Sequence, residues 1–366
     1  MKTVSEKISF GDSLTLKSGQ ILSGFELMTE TYGELNSEKT NAVLVCHAFS
    51  GNHHAAGAQD GEVKAGWWDE MIGDGKTIDT TKFFVVSLNN IGGCHGTSGP
   101  TTIEPQSGKP YGANFPEVSV SDWVETQKLL ADHLGINCWE MVAGGSLGGM
   151  QALQWAISYP ERIKKAAIIA ASSKISTQNI ALNEVAREII RKDEHFHNGD
   201  YLTKGELPKN GLKAARMLGH ITYLSESNMS KRFGRKLQDP ENKMDADVNY
   251  EVENYLQYKG EQFSKTFDAN SYILMTKAMD SFDPAKDFDD DLVKCLQSIQ
   301  AKLLIASFDS DWLFPKEYGL EIQMSAIKAG IDSSYIELDG DYGHDSFLFY
   351  SDQYASALKN FLNSNG

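Results

Sequence analysis

The chain is poor in cysteine and arranges none of it for pairing or metal capture. Its 366 residues include 4 cysteines, Cys46, Cys94, Cys138 and Cys295, and no two of them form a C-x-x-C pair. A disulfide framework is not expected, and reduced thiols in a cytoplasm are the simplest account. No apolar run is long enough to span a bilayer, and the N-terminal MKTVSEKISF lacks the apolar centre of a secretion signal. Neither export nor membrane insertion is expected. Positive charge is also scarce, with 34 Lys and Arg against 50 Asp and Glu, a net charge of −16. That balance argues against nucleic acid and against anionic membranes as partners, and an anionic substrate would need a local basic lining. Internal repeats and low-complexity tracts are absent.

What the chain does have is a glycine-rich turn around a serine. Gly144-Gly145-Ser146-Leu147-Gly148-Gly149 follows the apolar run 139–143 and precedes a predicted helix over 150–158. A G-x-S-x-G between strand and helix is a nucleophile elbow. The turn lifts the Ser146 hydroxyl clear of the sheet, and the helix N-terminus places free N–H groups and a positive dipole beneath it. A Cβ at Gly144 or Gly148 would push strand and helix apart.

Two later segments supply the partners in the chain order Ser…Asp…His that this elbow predicts. The apolar run 303–308 reads as a buried strand and leads into Asp309-Ser310-Asp311-Trp312-Leu313-Phe314-Pro315. A second short strand over 334–338 leads into Asp339-Gly340-Asp341-Tyr342-Gly343-His344-Asp345. A hydroxyl near neutral pH needs an imidazole as base and a carboxylate to hold the tautomer. Ser146, His344 and Asp311 fit those roles, and Asp309 competes with Asp311 on spacing alone. Upstream, the strand 41–46 runs into His47-Ala48-Phe49-Ser50-Gly51. The backbone N–H groups of Phe49 and Leu147 are then the expected oxyanion donors. His47 reads as a loop-bracing residue. His53 and His54 are adjacent, so their side chains diverge, and no third ligand stands at zinc spacing; no metal is expected.

The organisation follows. Strands over 41–46, 83–88, 139–143 and 165–170 alternate with helices such as 121–134, which implies an α/β fold with a mostly parallel, doubly wound sheet. From about 172 to 298 the pattern turns helical, as in Ile180–Ile190, where Leu182, Val185, Ala186, Ile189 and Ile190 recur at helical spacing. The expected division is a core of 1–171 and 299–366 with a helical cap of 172–298 over the active-site mouth. These features support acyl transfer through a serine ester and leave the acceptor open.

LVCHAFSGNHHAAG (44–57), GWWDEMIGDGKTID (66–79), NNIGGCHGTSGP (89–100), GKPYGANFPEVSVSDWV (108–124), GGSLGGMQALQW (144–155), SDWLFP (310–315) and YGHDSFL (342–348) together resemble the homoserine O-acyltransferase family of the α/β-hydrolase fold. The resemblance covers roughly 10 to 362. It implies a two-step transfer in methionine biosynthesis, in which Ser146 takes an acyl group from acyl-CoA and L-homoserine then accepts it. No permanently bound cofactor is implied; acetyl-CoA or succinyl-CoA is the co-substrate. The family's acid motif favours Asp311 over Asp309. The resemblance also places Arg235, in KRFGRKL, on the homoserine carboxylate and Asp345 on its ammonium, a pairing suited to a zwitterion. Asn89 is a further candidate lining residue, and a homodimer through the cap is implied. Phe49 and Ser346 replace the leucine and alanine common in the family. Succinyl-preferring relatives tend to carry arginine where this chain has Leu313, so acetyl-CoA is the favoured donor, with succinyl-CoA the alternative.

Overall fold

The computed structural model describes residues 1–58, 65–238 and 250–364. An eight-stranded sheet forms its centre. The strands are β1 (Thr3–Thr15), β2 (Ile21–Tyr32), β3 (Ala42–Cys46), β6 (Phe84–Leu88), β7 (Met141–Gly145), β8 (Lys165–Ile169), β9 (Lys302–Phe308) and β10 (Ser333–Leu338). Two short strands, β4 (Ile72–Gly73) and β5 (Ile78–Asp79), pair separately. The order across the sheet is β1-β2-β6-β3-β7-β8-β9-β10. All pairings are parallel except β1 with β2 and β2 with β6, so the α/β-hydrolase architecture expected from the sequence is present.

The parallel strands β3, β7 and β8 are buried along their whole length, as strands covered by helices on both faces must be. On one face α1 (Val120–Leu134) starts in a capping box, in which Ser119 accepts from the Asp122 N–H while the Asp122 carboxylate accepts from the Ser119 N–H. Beside it α2 (Leu147–Ser158) continues directly from the serine turn.

Between β8 and β9 the described chain is helical: α3 (Thr177–Arg191), α4 (Tyr201–Lys204), α5 (Lys209–Tyr223), α6 (Glu226–Arg232), α7 (Glu251–Thr266), α8 (Ala269–Asp280) and α9 (Leu292–Leu296). The expected apolar stripe on α3 holds at Ala186 and Ile190, which are buried, and fails at Val185, which is 51% exposed. The inward face instead accommodates Arg187, whose Nη1 lies 2.7 Å from the Asp280 carboxylate on α8. Helices α10 (Lys316–Ala329) and α11 (Asp352–Asn363) complete the fold. Among the described residues no helix is long and apolar enough to cross a membrane.

The N-terminal hairpin is an addition to the sequence reading, which began the sheet at residue 41. Most of β1 is solvent-exposed, so its sequence carries no clean alternation, and its place is fixed by the long antiparallel register with β2 from Thr3↔Tyr32 to Thr15↔Ile21.

Candidate active site

Ser146 stands at the end of β7 with φ 57° and ψ −122°, a left-handed strain that the flanking glycines make room for. A Cβ on Gly148 would lie 2.1 Å from the Cys46 carbonyl oxygen, and one on Gly144 would lie 2.5 Å from the Gly148 carbonyl carbon. Any larger residue there would separate α2 from β3 and β7. The turn is pinned from the next strand, since the Ser146 N–H donates to the Ile169 carbonyl at 2.9 Å.

The acid and base arrive on the loops after β9 and β10. His344 Nε2 is 2.7 Å from Ser146 Oγ, and His344 Nδ1 is 2.7 Å from Asp311 Oδ2. All three residues are buried. An ionised carboxylate only accepts, so Nδ1 carries the proton and Nε2 is left to accept from the serine hydroxyl. The other Asp311 oxygen accepts from the N–H groups of Leu313 at 3.0 Å and Phe314 at 2.8 Å. Phe314 stacks on the imidazole at 4.8 Å, and Phe347 meets it edge-on at 5.7 Å. Asp309 is exposed and turned away, accepting from the Gly340 N–H at 2.9 Å. The ambiguity between the two aspartates is therefore a matter of placement: only Asp311 reaches the imidazole.

The serine opens onto a cavity lined from the core by Phe49, Leu313 and Asp345 and from the helical segment by Asn179, Asn183, Thr222, Tyr223, Tyr272 and Thr276, among others. The Phe49 ring packs edge-on against Tyr272 at 4.8 Å and lies 5.8 Å from Phe267, so it forms part of the wall. Leu147 is the first residue of α2 and fully buried. Of the two residues expected to receive an oxyanion, Phe49 lines the cavity and Leu147 directly follows Ser146. The acid loop is tied to the helices, because Asn179 Nδ2 donates to the Leu313 carbonyl at 3.0 Å. Burial pushes the Asp345 carboxyl up, against the opposing fields of His344, Arg216 and Lys259.

Two expected binding residues are not brought to this cavity. Arg235 is exposed, donates to the Tyr250 hydroxyl at 2.8 Å and lies over that ring. Asn89 is buried beside Gly93, where a Cβ would meet its Nδ2 at 2.9 Å, and it is not among the lining residues. The arginine that sequence reasoning missed is Arg216 on α5. It sits three residues before Gly219 and seven before Tyr223, both of which line the cavity, so it shares their helix face. Its guanidinium lies 4.7 Å from the Phe263 ring centroid and 5.4 Å from that of Tyr223. Its Nη1 is buried without a hydrogen-bond partner among the described residues. A buried, unmatched guanidinium nitrogen calls for an anionic or carbonyl acceptor. The signal in the sequence was only a basic residue on an amphipathic helix, which is the commonest place for a solvated charge.

The remaining polar residues brace the loops. The Asn90 N–H donates to His47 Nε2 at 3.2 Å while His47 Nδ1 faces the Ala48 carbonyl at 2.8 Å, and burial pushes its pKa down to about 4. His47 is thus a neutral strut. His54 Nδ1 lies 3.1 Å from both oxygens of Glu30. Ser346 Oγ accepts from the Tyr342 N–H at 3.1 Å and closes the loop that carries His344.

Comparison with known proteins shows which family the chain resembles. Residues 41–350 match the family model described as alpha/beta hydrolase fold. The homoserine O-succinyltransferase of Neisseria gonorrhoeae is 53% identical over 360 residues, covering 98% of this chain and 95% of that protein. The crystal structure of homoserine O-acetyltransferase from Bacillus anthracis superposes with a TM-score of 0.92 at 28% identity, covering 100% of this chain and 98% of that one. Esterase E22 superposes with a TM-score of 0.90 at 30% identity, over 99% and 100% of the two chains. With end-to-end similarity in both sequence and fold, the chain belongs to the homoserine O-acyltransferase family of the α/β-hydrolase fold.

Proposed function

We infer that the protein transfers an acyl group from acyl-CoA to the side-chain hydroxyl of L-homoserine through an ester on Ser146, with acetyl-CoA as the donor. The observation that carries this reading is the hydrogen-bonded chain Ser146–His344–Asp311, at 2.7 Å for each link, opening onto a cavity bordered by Asp345 and Tyr223, with Arg216 behind the Tyr223 ring and its Nη1 buried without a hydrogen-bond partner among the described residues. His344 takes the Ser146 proton as Oγ attacks the thioester carbonyl, and the N–H groups of Leu147 and Phe49 receive the developing oxyanion. Collapse of the adduct breaks the C–S bond, and His344 gives its proton to the departing CoA thiolate. The homoserine hydroxyl then loses its proton to His344 and attacks the acyl carbonyl; collapse of this second adduct breaks the bond to Ser146 Oγ, His344 returns the proton to Oγ, and the O-acyl ester leaves. The helices of 172–298 act as the cap that closes this cavity and limits water. Incubation with acetyl-CoA and L-homoserine, followed by mass spectrometry, is expected to give O-acetylhomoserine; hydrolysis alone would overturn the reading.

Arg216 is assigned to the homoserine carboxylate and Asp345 to its ammonium. Arg216→Ala is expected to raise the KM for homoserine by about 10–100-fold, the range for loss of a charged hydrogen bond, with little effect on acylation by acyl-CoA. Arg235→Ala should stay within about twofold of the native enzyme, as exposed charges usually do. Steady-state kinetics in homoserine check both, and a large effect confined to Arg235 would reverse the assignment.

The donor choice rests on counting charges. Homoserine brings one carboxylate, which Arg216 can meet. A succinyl group would bring a second into the same cavity, where Leu313 offers an apolar surface. Arg187, the arginine behind Asn183 and Ala186, is held by Asp280 and Glu184, each at 2.7 Å. A buried carboxylate without a cation is costly. The names of relatives such as the N. gonorrhoeae protein support succinyl-CoA as a second reading. Competition between the two donors at equal concentration decides. Acetyl preference in the native enzyme, with a shift toward succinyl-CoA in Leu313→Arg, is the expected pair of results; a native succinyl preference would refute the charge count.

A further inference from the structure

Away from the cavity, two histidines and a glutamate converge on one spot. His195, His197 and Glu206 bring one ligand atom each to within 4.8 Å of one another. His197 Nε2 is in direct hydrogen-bond contact with Glu206 Oε2, and His195 Nδ1 lies 3.9 Å from that same oxygen. A single carboxylate oxygen therefore faces two imidazoles.

The framework under these side chains is fixed. Phe196, between the two histidines, is buried with its ring centroid 6.0 Å from that of the buried Tyr201. Tyr201 accepts from the Asn270 N–H at 3.0 Å, and Asn270 Nδ2 donates to the Gly199 carbonyl at 2.8 Å. The Glu206 N–H donates to the Tyr201 carbonyl at 3.1 Å, which anchors the glutamate to the same residue. His197 and Asn198 adopt left-handed backbone conformations, with φ 48° and 54°, a tight knuckle that turns the chain between the histidines and α4. The three side chains are 45%, 33% and 46% exposed, open enough for a hydrated ion to reach them.

We propose that His195, His197 and Glu206 form a surface site for a divalent transition metal of the zinc class, which clamps the loop before α4 to the segment after it. Two imidazoles and a carboxylate are a recurrent zinc donor set, and a set containing two nitrogens discriminates against magnesium. Bond lengths of about 2.0–2.1 Å set tetrahedral ligand atoms about 3.4 Å apart, close to the spacing of these three, which lie within 4.8 Å of one another. Water fills the fourth position. The site lies on the stretch that precedes α5 and braces α8 through Asn270, so bound metal stabilises the helical segment without touching Ser146.

The test uses the untagged full chain, stripped with a chelator and titrated with Zn²⁺ by native mass spectrometry and calorimetry. The native chain is expected to bind one equivalent more than the His195→Ala/His197→Ala variant, and Glu206→Gln should bind that equivalent about tenfold more weakly or worse. Acyl-transfer activity without added metal should be the same in all three. The melting temperature of the native chain, and not of the double variant, should rise with Zn²⁺, and Mg²⁺ at equal concentration should do neither. Equal zinc stoichiometry in native chain and double variant, or equal response to Mg²⁺, would overturn the proposal.

Discussion

Ser146→Ala is expected to lower kcat/KM by roughly 10⁵–10⁶-fold, because nucleophile and base act as a unit and removing either disables both. The fold should survive the change. Alanine occupies the strained φ of 57° no worse than serine does, and the glycines that make room for the turn at 144 and 148 are untouched. A variant with native melting behaviour and this loss of turnover would place the effect in the chemistry. Retention of more than about a hundredth of the activity, beyond any native contamination, would move the nucleophile elsewhere.

Asp311→Asn is expected to cost about 10⁴-fold in kcat, for a reason that follows from its hydrogen bonds. One Asp311 oxygen is held by the N–H groups of Leu313 and Phe314, and the other faces His344 Nδ1. An asparagine keeps its carbonyl oxygen on the backbone donors and turns its NH₂ to the imidazole. The ring must then accept at Nδ1 and carry its proton on Nε2, where it cannot take one from Ser146. Asp309→Asn keeps an acceptor for the Gly340 N–H, so a change of less than about tenfold is expected there. Single-turnover kinetics of the two variants check the pair. The reverse order of effects would hand the acid role to Asp309.

The parts of this site that were legible in the sequence are those set by local geometry. The elbow announces itself because two glycines are required within van der Waals distance of a neighbouring strand, and that need is written at fixed offsets from Ser146. His344 and Asp311 were legible as residues on loops that follow strands. Spacing alone did not separate Asp311 from Asp309; the family's acid motif favoured Asp311, and the contact that decides it spans 33 residues of chain. Arg216 was hidden for a related reason: its significance is the absence of a partner for Nη1, a property of the assembled helices and of no local pattern. Arg235 carried the resemblance to a family motif but projects to solvent beside Tyr250. The β1–β2 hairpin escaped because exposed strands need no alternation, whereas the buried strands 42–46 and 302–308 are apolar almost throughout and read easily. Ser346 gained an account only when its hydroxyl was seen to hold the Tyr342 N–H.

On the proposed function, the acyl group passes through Ser146 to homoserine and not to water. Structural similarity to an esterase as well as to an acetyltransferase makes that distinction the one to measure. Enzyme in slight excess is mixed rapidly with acetyl-CoA, with and without L-homoserine, while free CoA is followed and quenched samples are digested and mapped. Without homoserine a burst of CoA equal to the enzyme sites is expected, with an acetyl mass increment on the peptide containing Ser146 and slow decay of that ester; with homoserine the ester should vanish as O-acetylhomoserine forms. An unmodified Ser146 peptide during the burst, or an ester that decays equally fast with and without homoserine, would contradict it.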